Sequence, residues 1–449
     1  MEALPHISDK VLSFMKFPKK RNKNGITAGA KNIMCICCTL LILLLTSCGT
    51  ENTVDNLNKE PPSAITDTVI QPTESTPSVL FPKYHDIESS EAEEIRSKCQ
   101  EIALLCNDLM VNGETETSPY FPYDTTLTQS AIDDVEALLA EAGYPVINSD
   151  SKYPEYLENS DGLKHFFELT EKGENAQQSI ICVSLRNSIY YITFQYADGT
   201  LYYVNATISW DEDGKITVAD PSKLETIDWG MTYNGYFYYQ IYPLDRHWSA
   251  CSSIRLEPTD KELYDLYLEY LTPVGYPSGV FTLDWDKSNY GDLCFNDLFE
   301  ALYKERYGDW VYEKDYEYYT EMQCSLIPTN IFENTILPYF QISLDEFRAS
   351  TLYMKDKNAY PWQTLNCSNI IYCPTLTPEV TKCRDNEDGT FTIVVDVLCF
   401  DYKCFPMFTH EITIKPNIDG EFQYVANRVT YQDEKGVPAA TPRLEAQRK

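Results

Sequence analysis

The chain has 449 residues and a formal net charge of −32, with 68 acidic side chains against 36 basic ones. So acidic a surface repels phosphate backbones, which argues against nucleic acid as a partner, and it repels anionic headgroups and polyanionic wall polymers as well. The length suffices for two or three ordinary domains, and 34 Tyr, 19 Phe and 6 Trp suit half-buried sheets first and sugar or peptide sites second.

A basic segment opens the chain, with Lys16, Lys19, Lys20, Arg21, Lys23 and Lys31. The apolar run Ile33 to Leu45 follows; its 13 residues fall short of the roughly 20 that a membrane span needs. Basic residues, a short apolar run and small residues before a cut describe a secretory signal peptide. The ending Leu45-Thr46-Ser47-Cys48 resembles the lipobox of bacterial lipoproteins. That resemblance implies a signal peptide over residues 1–47, lipidation of Cys48 and a place on the outer face of a cell membrane. Stable anchoring of this kind takes two acyl chains, each buried CH₂ contributing about 0.8 kcal/mol. Met15 offers a second possible start, and Gly49 fits a single-membrane host. Removing a segment with seven basic and two acidic residues leaves −32 − 5, a mature charge near −37. Residues 48–84 read as a tether, with Pro61, Pro62, Pro72, Pro77 and Pro82 among many polar residues. Flexible-chain scaling gives it a reach of about 30 Å.

The first folded unit is expected over 85–250. Ile95, Cys99, Ile102, Leu105, Cys106 and Leu109 recur at helical spacing. A second helix runs from Thr128, a suitable N-cap, to Ala142, with Gly143 and Pro145 ending it. A shorter one covers Gly162 to Glu171. Ser179–Leu185, Ile189–Tyr196 and Leu201–Trp210 read as strands, turning at Ala197-Asp198-Gly199 and at Asp211 to Gly214. Tyr233 to Tyr242 adds an aromatic strand pair with a turn at Asn234-Gly235.

The second unit is expected over 251–433, the boundary falling between Pro243 and Pro258. Thr259 to Leu271 reads as a helix, with Thr259 as cap and Glu262 three places on. Asn296–Tyr307, Ile331–Phe340 and Ser343–Leu352 read as helices, the second of them stopping before Pro338. Strands follow at Phe391–Phe400, Phe408–Lys415 and Glu421–Tyr431, with turns at Asp388-Gly389 and Asp419-Gly420. The fold class is therefore α+β, as two units that are each helices followed by an antiparallel sheet. Ile208-Ser209-Trp210 and Ile412-Thr413-Ile414 both precede an Asp-Gly turn. Internal duplication stays open beside the simpler reading that any two such units share hairpins. Residues 434–449, with Pro438 and Pro442, read as a disordered tail.

Catalytic motifs are mostly missing. Of His6, His85, His165, His247 and His410, only His410-Glu411 begins like H-E-x-x-H, and Ile414 takes the place of the second histidine. That pair lies in a strand pattern, so His410 reads as a sheet residue. Gly275 to Gly279 carries its serine one place late for a nucleophile elbow. Asp284, Asp286 and Ser288 alternate as calcium ligands do, but Asn289 and Phe295 stand where an EF-hand needs Gly and Glu; a polar loop capping the next helix is the plainer reading. Trp210, Trp229, Trp248, Trp285, Trp310 and Trp362 suit a core better than a sugar platform. Eleven cysteines follow Cys48, none as C-x-x-C, and an odd number leaves one unpaired. Cys367, Cys373, Cys383, Cys399 and Cys404 could form one or two bridges, or remain buried thiols in an anaerobic host. No catalytic residue, metal or cofactor is nominated.

Phe332-Glu333, Ile336 and Tyr339-Phe340, then Asn358-Ala359-Tyr360-Pro361-Trp362, Asp388-Gly389-Thr390 and Thr409-His410-Glu411 together resemble a group of Firmicute surface lipoproteins. Asn296-Asp297-Leu298-Phe299-Glu300 fits the same group. The resemblance implies a lipobox, a clostridial type of host and an exported α+β pair, and it supplies no catalytic residue. The expected function is a non-enzymatic surface module binding a cell-wall or protein partner. The alternative is an exported hydrolase using paired carboxylates on glycan or peptidoglycan. A solute receptor needs a parallel α/β core, which the hairpins disfavour.

Overall fold

Ile95, Cys99, Ile102, Cys106 and Met110 recur at helical spacing and bury one face of helix α1 (Ser89–Asn112). The computed structural model describes residues 83–117, 125–149, 152–211, 213–241, 251–276, 279–290, 293–365, 376–399, 405–417, 421–433, 436–437 and 442–444. Cys48, the expected signal peptide and the tether as far as Pro82 lie outside these residues.

Strand β1 (Tyr84–His85) precedes α1, and the pair β2 (Thr115–Thr117) and β3 (Thr125–Leu127) follows it. Helix α2 (Gln129–Glu141) starts where Thr128 Oγ1 accepts from Ala131 N. Next come β4 (Val146–Asn148), β5 (Tyr156–Glu158) and α3 (Asp161–Glu171). The strands β6 (Ala176–Ser184), β7 (Ser188–Ala197), β8 (Thr200–Trp210), β9 (Ile216–Val218) and β10 (Ser222–Glu225) complete the largest sheet, ordered β1-β10-β8-β7-β6-β4-β5 with β9 on β8. The β7–β8 turn places Asp198 at φ 52° and Gly199 at φ 83°, the left-handed pair that matches strand twist in a two-residue hairpin.

This sheet corrects one expectation, because it is not wholly antiparallel. Val146 of β4 lies opposite Ile181 of β6 in parallel. Strand β5 and helix α3 intervene, and a crossover through a helix returns the chain in its original direction. Helices α1 and α2 cover one face through Ile181, Val183, Val204 and Ile208. Helix α3 and a small sheet cover the other through Ile180, Ile192, Phe194 and Leu201. The small sheet is β11 (Asp228–Met231), β12 (Tyr236–Gln240) and β13 (Cys251–Arg255), so β13 joins β12 across the expected boundary at 250/251.

Helix α4 (Lys261–Leu266) continues as a π-turn over Tyr267–Leu271. Its cap is Asp260, whose carboxylate accepts from Glu262 and Leu263 N, and not Thr259. After it come β14 (Trp285–Asp286), α5 (Phe295–Tyr307), β15 (Glu317–Tyr319), β16 (Cys324–Pro328), α6 (Thr329–Ile336), α7 (Leu344–Ser350) and β17 (Ala359–Trp362). Helix α6 gives way to a 3₁₀ turn at Leu337–Tyr339, because Pro338 lacks the N–H that would continue it. A capping box between Ser343 and Glu346 starts α7. Then β18 (Leu376–Asp385), β19 (Phe391–Cys399), β20 (Pro406–Pro416) and β21 (Phe422–Gln432) form an antiparallel sheet in the order β14-β21-β20-β19-β18.

The helices α5, α6 and α7 pack on that sheet through an aromatic core that includes Phe281, Phe295, Phe299, Phe332, Phe347 and Tyr424. Phe332 stacks on Tyr360 with ring centroids 4.2 Å apart. The three-stranded sheet β15-β16-β17 lies beside this core, with β15 at its edge. The chain is thus mixed α+β, with sheets that are mainly antiparallel.

Candidate functional site

Helix α5 ends with Tyr303 and Tyr307 one turn apart, their ring centroids 4.6 Å from each other. Gly308 closes the helix in the left-handed conformation, φ 72°. The chain then folds back, Asp309 Oδ1 accepts from Trp310 N at 2.8 Å, and Lys304 Nζ lies 3.7 Å from the Trp310 ring centroid. Lys314 Nζ lies 5.2 Å from the Tyr312 ring, and Arg306 6.0 Å from that of Tyr307. Burial raises the pKa of Tyr316, with Tyr303 as the next contributor. Strand β15 next presents Tyr318. Tyr307, Trp310, Tyr312 and Tyr318 are 49%, 55%, 49% and 60% exposed. Four large rings are thus left open within twelve residues of chain, and exposed apolar surface is what marks an interaction site when it is gathered in one place.

The strip is acidic between its rings. Residues 303–321 hold Lys304, Arg306 and Lys314 against Glu305, Asp309, Glu313, Asp315, Glu317 and Glu321, which is 3 − 6 = −3. Glu313 Oε1 accepts from Thr364 N at 3.0 Å, and Glu321 accepts from the Tyr319 hydroxyl. The other four acids are exposed.

A second feature is a cavity of about 480 Å³ lined by Asp133, Ala137, Ala140, Glu141, Asn148 and Glu158. Glu136, buried on α2, accepts from Ser149 Oγ at 2.6 Å and from Ser149 N at 3.0 Å. Burial raises its carboxyl to about 7, against the pull of those hydrogen bonds. Asn148 Nδ2 donates to Glu158 at 3.4 Å, and Gln129 donates to Asp133 at 2.9 Å. Among the described residues, no three His, Cys, Asp or Glu side chains gather as a metal site would. Nor is any described helix long and apolar enough to cross a membrane.

Residues singled out in the sequence are dispersed. His410 is fully buried in β20 between Tyr276 and Asn427, and burial lowers its pKa to about 4. His85 sits 2.9 Å from Glu225, His165 is exposed on the outer side of α3, and His6 and His247 lie outside the described residues. Asp286 folds its carboxylate onto Ser288 and Asn289, while Asp284 accepts from Val429 N at 2.7 Å. Their oxygens close a turn and hold β21; they do not cap α5, whose N-cap is Cys294 with no side-chain bond. Trp210, Trp285 and Trp362 are core, Trp229 packs on Phe167 and Tyr196, and Trp310 is exposed. Trp248, Cys367, Cys373 and Cys404 lie outside the described residues. Cys99, Cys106, Cys294, Cys324 and Cys383 are thiols outside any disulfide among the described residues.

The strip is the feature that sequence reading missed. Its signal was present as seven aromatics in the 17 residues Tyr303 to Tyr319. Helical spacing accounts for the first two, and no single period accounts for the rest. No curated protein and no solved structure matches the chain. One protein-family model matches over residues 92–443, and its description is a family of unknown function (DUF6070).

Proposed function

We propose that this chain, which belongs to the DUF6070 family, is a lipid-anchored surface protein that binds a partner and does not transform a substrate. The observation that carries this reading is the strip of half-exposed rings at Tyr307, Trp310, Tyr312 and Tyr318. Rigid, amphipathic Tyr and Trp rings supply contact area at low entropic cost, and they dominate binding surfaces. In this reading Cys48 carries the lipid on the outer face of a Firmicute membrane, and residues 49–82 let the folded part reach toward wall or protein partners.

The reading includes two units, over 85–250 and 251–433. Hydrophobic clustering supports a division of this kind, since one cluster ends by Val218, a second ends at Leu256 and the largest starts at Leu263. Tyr236 and Tyr238 meet Leu398 between them, and Arg255 and Tyr236 share the Glu379 carboxylate.

The acidic cavity favours a second reading, an exported hydrolase of glycan or peptidoglycan. Glu136 is not among the lining residues, being buried on α2 and bonded to Ser149, but its carboxyl, raised by burial to about 7, is half protonated at neutral pH, the property a general acid needs. The lining acids Asp133, Glu141 and Glu158 supply carboxylates.

A photo-reactive phenylalanine in place of Tyr318, in the full chain on cells, tests the binding reading. Tyr84, equally exposed at 60%, is the control position. Adducts at 318 and not at 84 are expected; equal labelling overturns it. In the same cells, Cys48→Ala should release the protein or leave it unprocessed. Unchanged mass and membrane retention would remove the anchor from the reading.

A further inference from the structure

Resting on the strip as the binding surface, we infer that its partner is a basic, extended segment of another protein, rich in Lys or Arg. Three of the strip's rings already lie under cations of the chain itself, Lys304 at 3.7 Å from Trp310, Lys314 at 5.2 Å from Tyr312 and Arg306 at 6.0 Å from Tyr307. These distances are those at which a ring face attracts a cation. Tyr318, the most exposed ring of the set, has no base over it among the described residues.

Charge points the same way. The strip carries six carboxylates against three bases, within a chain of net charge −32. A neutral glycan can stack on the ring faces and donate hydroxyls to carboxylates, but it gains nothing from the net negative charge. A phosphate-bearing polymer is repelled by them. A cationic side chain uses both, resting on a ring and pairing with Asp309 or Asp315, both exposed between the rings.

The backbone accounts for the extended form. Tyr318 sits in the middle of β15, at the edge of the sheet β15-β16-β17. An edge strand offers its outer N–H and C=O groups to an added strand. Side chains alternate along such a strand, so every second residue of the incoming segment falls on the Tyr318 side. A segment with Lys or Arg at alternate positions fits both the backbone and the rings.

The test uses the full chain in detergent and two fluorescent probes, a (Lys-Gly)5 peptide and a neutral chitin hexasaccharide, read by anisotropy. The peptide is expected to bind, to weaken about fivefold or more in Tyr318→Ala and in Trp310→Ala, and to keep its affinity in Tyr318→Phe, which retains the ring. Tyr84→Ala should leave it unchanged, and binding should fall as salt rises. Peptide binding that ignores Tyr318→Ala and Trp310→Ala reflects net charge alone and overturns the inference. Hexasaccharide binding that Tyr318→Ala abolishes, without peptide binding, also overturns it but leaves the strip as a binding surface. No binding of either probe overturns the inference, and equal labelling at 318 and 84 in the crosslinking experiment then removes the strip as well.

Discussion

Tyr276 donates its hydroxyl proton to Nε2 of His410 across 2.8 Å. At the ring's other edge, Nδ1 lies 2.8 Å from Asn427 Oδ1, and Asn427 Nδ2 donates to the Leu283 carbonyl at 2.8 Å. A carbonyl only accepts, so the amide is oriented and the imidazole proton belongs on Nδ1. The ring is satisfied while neutral, and burial lowers its pKa to about 4. In the unfolded chain it titrates near 6.5. Because the folded value is depressed, the stabilisation is complete above pH 6.5 and is lost as pH falls toward 4, about 2.5 kcal/mol by pH 4.5. Urea unfolding at pH 7.5 and 4.5 checks this. The wild type should lose about 2.5 kcal/mol more than His410→Gln over that interval; equal losses would place a titrating water-exposed ring at this position.

Glu136 pulls the opposite way. Its carboxyl is raised by burial to about 7, against a usual value near 4.3. A raised acid contributes stability that is full below pH 4.3 and is lost as pH climbs through 7. Glu136→Gln keeps the shape and removes the charge, so its advantage over wild type should grow by about 3 kcal/mol from pH 4.5 to 8. The two residues oppose each other across one window, so the wild-type profile understates both. Measuring each variant against wild type at each pH separates them. A constant offset for Glu136→Gln would mean that its carboxylate is solvated.

Much of the fold is legible where local chemistry and burial agree. Thr128 and Gly143 bracket α2 because one supplies an oxygen to a free N–H and the other takes φ 86°. The hairpin at Asp198-Gly199 needs only its own two residues. Strand β18 was not legible: its sequence contains Pro378, Glu379 and Lys382, it forms a sheet edge, and a bulge falls between Val380 and Lys382. A half-exposed edge strand shows no alternation to read. Thr259 has the chemistry of a cap but stands one residue early, and Asp260 takes the role. The strip at 303–319 was obscured because it runs from helix through turn to strand, and no single spacing spans all three.

Burial also governs the thiols. Cys99 and Cys106 are fully buried on the inner face of α1, and burial raises both to about 12. The thiolate is the nucleophile, and at pH 8 a pKa near 12 leaves roughly one thiol in ten thousand ionised. In native protein treated with iodoacetamide, both cysteines should stay unmodified over hours, and both should react within minutes in urea. Mass spectrometry of the α1 peptides reads this directly. Rapid native labelling at either position would show that α1 opens from the sheet far more often than its packing implies.

Beyond β21, Arg443 returns to helix α5. Its guanidinium is 7% exposed and lies 3.1 Å from Glu300 Oε1, while its N–H groups donate to the carbonyls of Gln363 at 3.0 Å and Asp297 at 3.1 Å. Arg443 N also donates to Asp297 Oδ2 at 3.1 Å. Burial lifts the Asp297 carboxyl above its ordinary range, and Arg443 pulls it back. Part of the segment expected to be a disordered tail thus closes a buried charge network, and the family match likewise reaches residue 443. Removing one partner of a buried pair leaves the other uncompensated, at about 3–5 kcal/mol. Arg443→Met retains most of the side-chain volume and should lower stability by about 3 kcal/mol in urea unfolding. Adding Asp297→Asn and Glu300→Gln to Arg443→Met removes the orphaned charges and should restore more than half of that loss. A loss under about 0.5 kcal/mol for Arg443→Met alone would be the signature of a solvated surface pair. A triple variant no more stable than the single one would place the loss in packing of the tail and not in its charge.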